Sequence, residues 1–309
     1  MTSGAQRGAA LIIAMVIAAL AAVVAMSLAA NQQQWFASMT NRRDQVQAQA
    51  LALAGVQWAR QILFEDAKTA GAVDTLTEPW ALPLPATPLE NGSIEGSIID
   101  AQGLLNVNNL APVDSSITPD AERARFARLF ARLGVPPASL DAIADWIDTD
   151  SVTRPTGAED AWYAQQANPM LAANATIVRS AELSLVRGLS PATVTMLAPY
   201  VIALPPVTKL NVNTAPAPVL ATAVDGLDAT GLSALLASRA QKPFSDIPSD
   251  FGSRLPQGAV IAYESGLDVK SNFFLVTVLA RQGDTRARAR ALLERGKGAW
   301  PTIVWQTLE

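Results

Sequence analysis

Arg7-Gly8-Ala9-Ala10-Leu11-Ile12-Ile13-Ala14-Met15-Val16-Ile17 opens an apolar run that continues to Ala30, broken by one polar residue, Ser27, and by no Gly or Pro. At about 1.5 Å of rise per residue, a helix over 9–30 is about 33 Å long, enough to cross the hydrocarbon core of a bilayer. The short segment ahead of it carries one basic residue, Arg7, which favours a cytoplasmic N-terminal side and puts the rest of the chain across the membrane. Three readings compete. A secretory signal peptide has a shorter apolar core followed by small residues for cleavage, and Ser27-Leu28-Ala29 offers such a site. A plain anchor is the second. The third is cleavage on the cytoplasmic side, between Gly8 and Ala9, which leaves the apolar helix at the start of the mature chain.

The residues behind the run bear on that choice. From Ala9 the chain has no Gly before Gly55 and no Pro before Pro79. Over 31–66, Phe36, Met39, Val46, Leu53, Val56 and Leu63 recur at spacings of three, four or seven, the pattern of an amphipathic helix continuing out of the membrane, with an apolar stripe available to partner subunits. A single helix of about 55 residues, apolar all round in its first half and amphipathic in its second, is predicted.

On Arg7-Gly8-Ala9 and this long helix the chain resembles pilins and pseudopilins, in which a prepilin peptidase cuts after the Gly and the new N-terminus is methylated. Most members of that class carry Glu at the fifth mature position; here that position is Ile13. A carboxylate in a membrane helix is costly unless a neighbouring subunit partners it. A subunit without one suits the tip of a filament, with nothing beyond it. Among pseudopilins this departure marks the large minor class of type II secretion, general secretion pathway protein K.

The composition fits export. The 309 residues include no Cys and no His, which removes disulfides, thiol chemistry, His-based triads and the usual zinc sites. A net charge of −4 and a pI near 5.0 argue against nucleic acid as a partner. Half the residues are apolar, sufficient for one or two full cores.

Residues 71–92, with four Pro between Pro79 and Pro88, read as a loop leading to a first strand, Ile94–Asp100. Near the other end, 271–281 and 285–294 flank Gln282-Gly283-Asp284 as a hairpin, and 301–305 reads as a last strand. Between these strands the chain is predominantly helical and contains a repeat. Leu105-Asn-Val-Asn108 recurs as Leu210-Asn-Val-Asn213. Paired helices are predicted around Gly134 (126–133, then 138–147) and Gly226 (218–224, then 230–239). A third joint, at Gly188, leads into a helix over 192–202. Each Gly ends its first helix in the left-handed conformation, and Asp or Ser-Pro starts the next. These units resemble helix-hairpin-helix modules. They lack the second Gly and the basic residues of the DNA-binding form, and the second helix brings Asp141, Asp145 and Asp148, which repel phosphates. They are packing modules.

The densest chemical constellation runs from Trp146-Ile-Asp148-Thr-Asp150 through Pro155-Thr-Gly157-Ala-Glu159-Asp160 to Tyr163. Aspartates at a helix C-terminus oppose the macrodipole by about 0.3–1 kcal/mol each, and a hard cation reverses that sign. The spacing admits two readings: a cation site, or solvated aspartates with Glu159 and Asp160 beginning the next helix. It does not follow the twelve-residue EF-hand pattern. No nucleophile or His accompanies the carboxylates, so a catalytic pair has little support.

The run Trp146-Ile-Asp-x-Asp…Gly-Ala-Glu-Asp…Tyr163, with Asn174, Glu182-Leu183, Val186-Arg-Gly188 and Leu210–Pro216, is similar to the type II secretion protein K family over nearly the whole chain. The resemblance implies an α+β fold: a long N-terminal transmembrane and stem helix, a pilin-like antiparallel sheet, and a large inserted α-helical domain with helix-hairpin-helix-like repeats. The implied division is leader 1–8, transmembrane helix 9–30, stem 31–66, head 67–103 and 263–309, and insertion 104–262. It implies calcium at Asp148, Asp150, Glu159 and Asp160, processing at Gly8 and Ala9, and a capping role tied to Ile13. The implied setting is the inner membrane, with the C-terminal part in the periplasm. The implied partners are prepilin peptidase, the major pseudopilin and the minor pseudopilins of the I and J classes. The alternative is a membrane-anchored or secreted periplasmic binding protein or hydrolase.

Overall fold

The computed structural model of the chain describes residues 3–69, 71, 73–111, 119–296 and 299–309, with the side chains of the first helix described from Leu11 onward. That helix, α1 (Ser3–Thr69), is continuous for 67 residues, as expected for a stretch with no Pro and few Gly. Its segment from Leu11 to Arg43 is exposed throughout, with apolar side chains such as Ile13 and Val16 facing outward all round. Only from Asp44 onward does α1 meet the rest of the molecule.

After α1, a first edge strand, β1 (Leu84–Leu89), pairs with β2 (Gly92–Asp100). By its prolines this stretch reads as loop, and the structure differs. Pro85 and Pro88 are accommodated because an edge strand has one side on which no ladder donor is required. Next come β3 (Leu105–Asn106), α2 (Pro119–Leu133), α3 (Ser139–Ile147), α4 (Asp160–Tyr163), α5 (Pro191–Leu197) and β4 (Val201–Ile202). A second set follows: β5 (Leu210–Asn211), α6 (Ala217–Leu220), β6 (Val224–Asp225), α7 (Ala229–Gln241), β7 (Val260–Ile261) and β8 (Leu267–Asp268). The chain then returns to the main sheet with β9 (Phe273–Gln282), β10 (Thr285–Glu294) and β11 (Thr302–Leu308). That sheet is antiparallel, in the order β1-β2-β9-β10-β11.

The sheet packs on a face of α1 made of small residues. Ala48, Ala52, Val56, Ala59 and Leu63 are buried against Val278, Ala280, Ala287, Ala289, Ala291 and Leu293. Alanines on both sides permit a close helix–sheet approach. Of the apolar residues at helical spacing, Val56 and Leu63 are buried here, whereas Phe36, Met39 and Val46, farther toward the N-terminus, are 71%, 58% and 59% exposed.

The two Leu-Asn-Val-Asn segments play equivalent parts. β3 pairs in parallel with β4, and β5 pairs in parallel with β8. In each, the second Asn clamps one distant residue through both its amide groups. Asn108 accepts from the Ile177 N–H at 2.9 Å and donates to the Ile177 carbonyl at 2.9 Å. Asn213 treats Phe244 the same way, at 2.8 and 2.9 Å. Each Asn is thereby a local strap closing its own unit.

The three turn glycines adopt the left-handed conformation expected of them, with φ of 70°, 82° and 74° at Gly134, Gly188 and Gly226. Ser190 and Asp228 cap the helices that follow, accepting from the N–H groups of Thr193 and Gly231. The paired-helix reading holds fully only at Gly134. At Gly188 the preceding element is a 3-10 turn (Ser180–Leu185), and α5 ends at Leu197, because Val201 and Ile202 are taken by the β3 pairing. At Gly226 the first helix is α6 plus a 3-10 turn, ending in β6. One continuous apolar core spans both units, from Leu105 to Val269. Buried Arg125 on α2 ties them further, donating to Glu122 and to the carbonyls of Tyr263 and Gly266.

Where these units join the sheet the interior is polar. Asp100, at the end of β2, accepts from Asn211, Thr214, Ser271 and the Gln102 N–H. Arg295, just past β10, bridges Asp66 of α1 and Asp74.

Candidate metal centre

α3 ends at Asp148, whose N–H bonds the Ala144 carbonyl. From there a loop leads to Glu159, the residue before α4. The inner aspartates hold this loop down. Asp145, with no exposed surface, accepts from the Arg154 N–H at 3.1 Å and from its guanidinium at 2.5 Å. Asp141 accepts from the N–H and hydroxyl of Thr156 and from Arg123. Gly157 passes so near Asp145 that a Cβ there would lie 1.8 Å from Oδ2. Only a residue without a side chain fits. On the far side, Tyr163 packs edge-on against Trp146, and its hydroxyl accepts from the Arg187 N–H.

The outer carboxylates are arranged differently. One oxygen each from Asp148, Asp150 and Glu159 lies within 4.8 Å of the others. Asp148 Oδ2 takes the Arg154 guanidinium at 2.5 Å, while its buried Oδ1 has no partner. Both carboxylate oxygens of Glu159 are buried and unpartnered, and so is Oδ1 of Asn174. Asn174 has a positive φ of 46° and its N–H bonds the carbonyl of Trp146, just ahead of Asp148. Burial, and then the charges of Asp145, Asp148, Asp150 and Asp160, push the Glu159 carboxyl up to about 7. Burial also raises Asp148, against the pull of Arg154.

Leaving a buried acceptor unsatisfied costs about 1–3 kcal/mol, more when it is charged. Three such oxygens, on Asp148 and Glu159, belong to one cluster with Asp150, and a fourth sits on Asn174 in the loop bonded to the Trp146 carbonyl; a hard divalent cation would satisfy such an environment. The donor set, carboxylates plus an amide carbonyl, is that of calcium rather than of a soft metal. Asp148, Asp150, Glu159 and Asn174 fit the role. Asp160 departs from expectation: its Oδ1 accepts from the Ala172 N–H at 2.8 Å, so it fastens the 160–172 loop and lies outside the three-carboxylate group. The spacing of the acidic residues does not mark Asn174 as an oxygen donor, and its one sequence signal is that Asn tolerates a positive φ.

A second carboxylate group, Asp66, Asp74 and Glu78, is of another kind. Arg295 pairs with both aspartates, Trp80 donates to Glu78, and none of their buried oxygens is left without a partner. Of the positions expected to be processed, Gly8 and Ala9 lie within α1, the Ala9 side chain being outside the described residues, as are Met1 and Thr2 altogether. Ile13 is 59% exposed on the bare part of the helix.

Two family models described as type II secretion system protein K match residues 103–206 and 210–270. Their division falls between the two Leu-Asn-Val-Asn units. Over the whole length, the type II secretion system protein K of Aeromonas hydrophila is 30% identical, with 94% of each chain covered. That of Pseudomonas aeruginosa is 32% identical, covering 94% of this chain and 90% of the relative. Among solved structures, a chain of the GspK-GspI-GspJ complex from enterotoxigenic Escherichia coli superposes with a TM-score of 0.75 at 24% identity, over 88% of this chain and 99% of that one.

Proposed function

Because the chain belongs to the type II secretion system protein K family, whose members are minor pseudopilins, structural subunits and not enzymes, we propose that it caps the pseudopilus, helps to start its assembly and so promotes export of folded proteins across the outer membrane. On this reading, prepilin peptidase removes residues 1–8, Ala9 becomes the methylated N-terminus, helix 9–30 stays in the inner membrane and the remainder lies in the periplasm. The observation that carries the capping role is Ile13, which offers no charge to a subunit ahead. The exposed large residues Trp35, Phe36, Met39 and Val46 on the stem supply an apolar stripe for neighbouring helices. Minor pseudopilins of the I and J classes are the expected neighbours, with the major pseudopilin below them. The related E. coli protein crystallised with GspI and GspJ supports that choice.

The chain lacks Cys, so single cysteines at positions 36 and 46 can be crosslinked without background. Crosslinks to I- and J-class subunits are expected, together with a copy number far below that of the major pseudopilin and a methylated mature N-terminus at Ala9. A copy number comparable to the major subunit along isolated filaments would refute capping.

Calcium at Asp148, Asp150, Glu159 and Asn174 is the second part of the proposal, supported by the unpartnered buried oxygens. A cation bound only by the folded state stabilises it by about 2.7 kcal/mol at a hundredfold excess over its dissociation constant. Chelation of the purified chain should lower its melting temperature, and Asp148→Ala should abolish that response. An unchanged melting curve on chelation would count against the site.

A further inference from the structure

Four arginines stand together on one face of the sheet: Arg281 on β9, and Arg286, Arg288 and Arg290 on β10, all exposed. The alternate residues of β10, Ala287, Ala289 and Ala291, are buried against α1, so the arginines occupy the opposite face. Arg286 lies directly across from Arg281 in the ladder. Like charges in that relation destabilise a sheet.

Seven arginines elsewhere pair with carboxylates: Arg43, Arg123, Arg125, Arg128, Arg154, Arg254 and Arg295. The four on this face form no ion pair and no side-chain hydrogen bond among the described residues. Three carboxylates share the face, Glu95 opposite Leu279, Glu309 opposite Arg288 and, beyond Leu292, Glu294 opposite Phe273, and none of them forms an ion pair with these arginines. The face is thus cationic in a chain of net charge −4. Half-buried Thr277 and Leu279 lie across from Arg290 and Arg288. The rest of this face, around Leu275, Leu292 and Trp305, is covered by Ile202 and Leu204, which bounds the free patch.

Guanidinium forks match carboxylates bidentately. Arginines two apart on a strand recur about every 6.8 Å, near the ~5–6 Å between residues i and i+4 on one helix face. A helix is also the element that ordinarily covers a sheet face, as α1 does on the other side. We propose that the Arg281, Arg286, Arg288 and Arg290 face is a docking surface for a partner protein's helix bearing a row of Asp or Glu at i, i+4 spacing. It rests on the sheet alone and does not depend on filament capping or on calcium.

The test uses the full chain in phosphatidylcholine nanodiscs and a labelled helical peptide with Glu at every fourth position, read by fluorescence anisotropy. Binding is expected to weaken with salt and to fall about tenfold or more for the matching Gln peptide and for the R286E/R288E variant. Arg132→Glu, at an exposed arginine on α2 away from the sheet, should leave it unchanged. Arg286→Thr should raise the melting temperature, since it removes the like-charge pair. Equal binding of the Glu and Gln peptides, or full binding by R286E/R288E, would overturn the proposal. So would a lower melting temperature of Arg286→Thr, or displacement of the peptide by short-chain phosphatidylglycerol at lower concentration than the peptide itself, which would identify a lipid surface.

Discussion

Glu159 has both carboxylate oxygens buried without a protein donor, the arrangement on which the proposed cation site rests. Three of the four carboxylates expected from sequence do converge, because a short Asp-x-Asp segment past a helix end and a Glu before the next helix are brought together by one loop. Asn174 is invisible to such spacing: it arrives from a separate loop, through its bond to the Trp146 carbonyl. Asp160 stands apart from these three for a related reason, since adjacent residues at a helix start point in different directions. The loop itself depends on Gly157. A methyl group there, 1.8 Å from Asp145 Oδ2, would push the carboxylate off Arg154. Gly157→Ala should cost about 2–4 kcal/mol and weaken the calcium response. Urea denaturation with and without calcium checks this, and a loss under about 0.5 kcal/mol, the range of ordinary surface substitutions, would refute it.

Among the elements, α1 shows what periodicity leaves open. Counting large apolar residues locates a helical stripe, yet the sheet lies on the alanine-rich face. Burial there is decided by how near two backbones can come. Ala52, with no exposed surface, has no room to grow. Ala52→Leu should destabilise the head by about 1–3 kcal/mol through overpacking. Phe36→Ala, at a residue 71% exposed, should change stability of the isolated subunit by no more than about 0.5 kcal/mol while reducing crosslinking to other pseudopilins from position 46. Denaturation curves of the two variants test the contrast, and it fails if Phe36→Ala costs as much as Ala52→Leu.

At the scale of the molecule, a polar junction joins stem, sheet and inserted units, and it links stability to pH. Burial pushes the Asp100 carboxyl up to about 6 from the ordinary 3.8, against hydrogen bonds from Ser271, Thr214 and the Gln102 N–H; the charge of Asp74 adds to the rise. The folded state therefore holds a proton that the unfolded state has released. This contribution is complete below about pH 4 and is lost as pH rises through about 6, with a slope of up to about 1.4 kcal/mol per pH unit. In saturating calcium, the melting temperature of the wild type minus that of Asp100→Asn should shrink between about pH 4 and pH 7. A difference constant over that range would exclude Asp100 as the linked group.

The long apolar N-terminal helix and its continuation, the β9–β10 hairpin, the duplicated Leu-Asn-Val-Asn units, the left-handed glycines at Gly134, Gly188 and Gly226, and most of the acidic cluster are legible in the order of the residues. These are local matters: a run of apolar residues, a backbone that only Gly adopts freely, and carboxylates a few residues apart. Other features exist only once the chain has folded. They are the choice of which face of α1 is buried, the use of the proline-rich 84–89 segment as an edge strand, the closure of each Asn strap onto Ile177 or Phe244, and the bond that ties Asn174 to the Trp146 carbonyl. All but the edge strand, whose partner β2 follows it by a short turn and is itself held by β9, depend on a partner far along the chain, and the strength of a contact is set by the distance and solvent exclusion that the completed fold imposes.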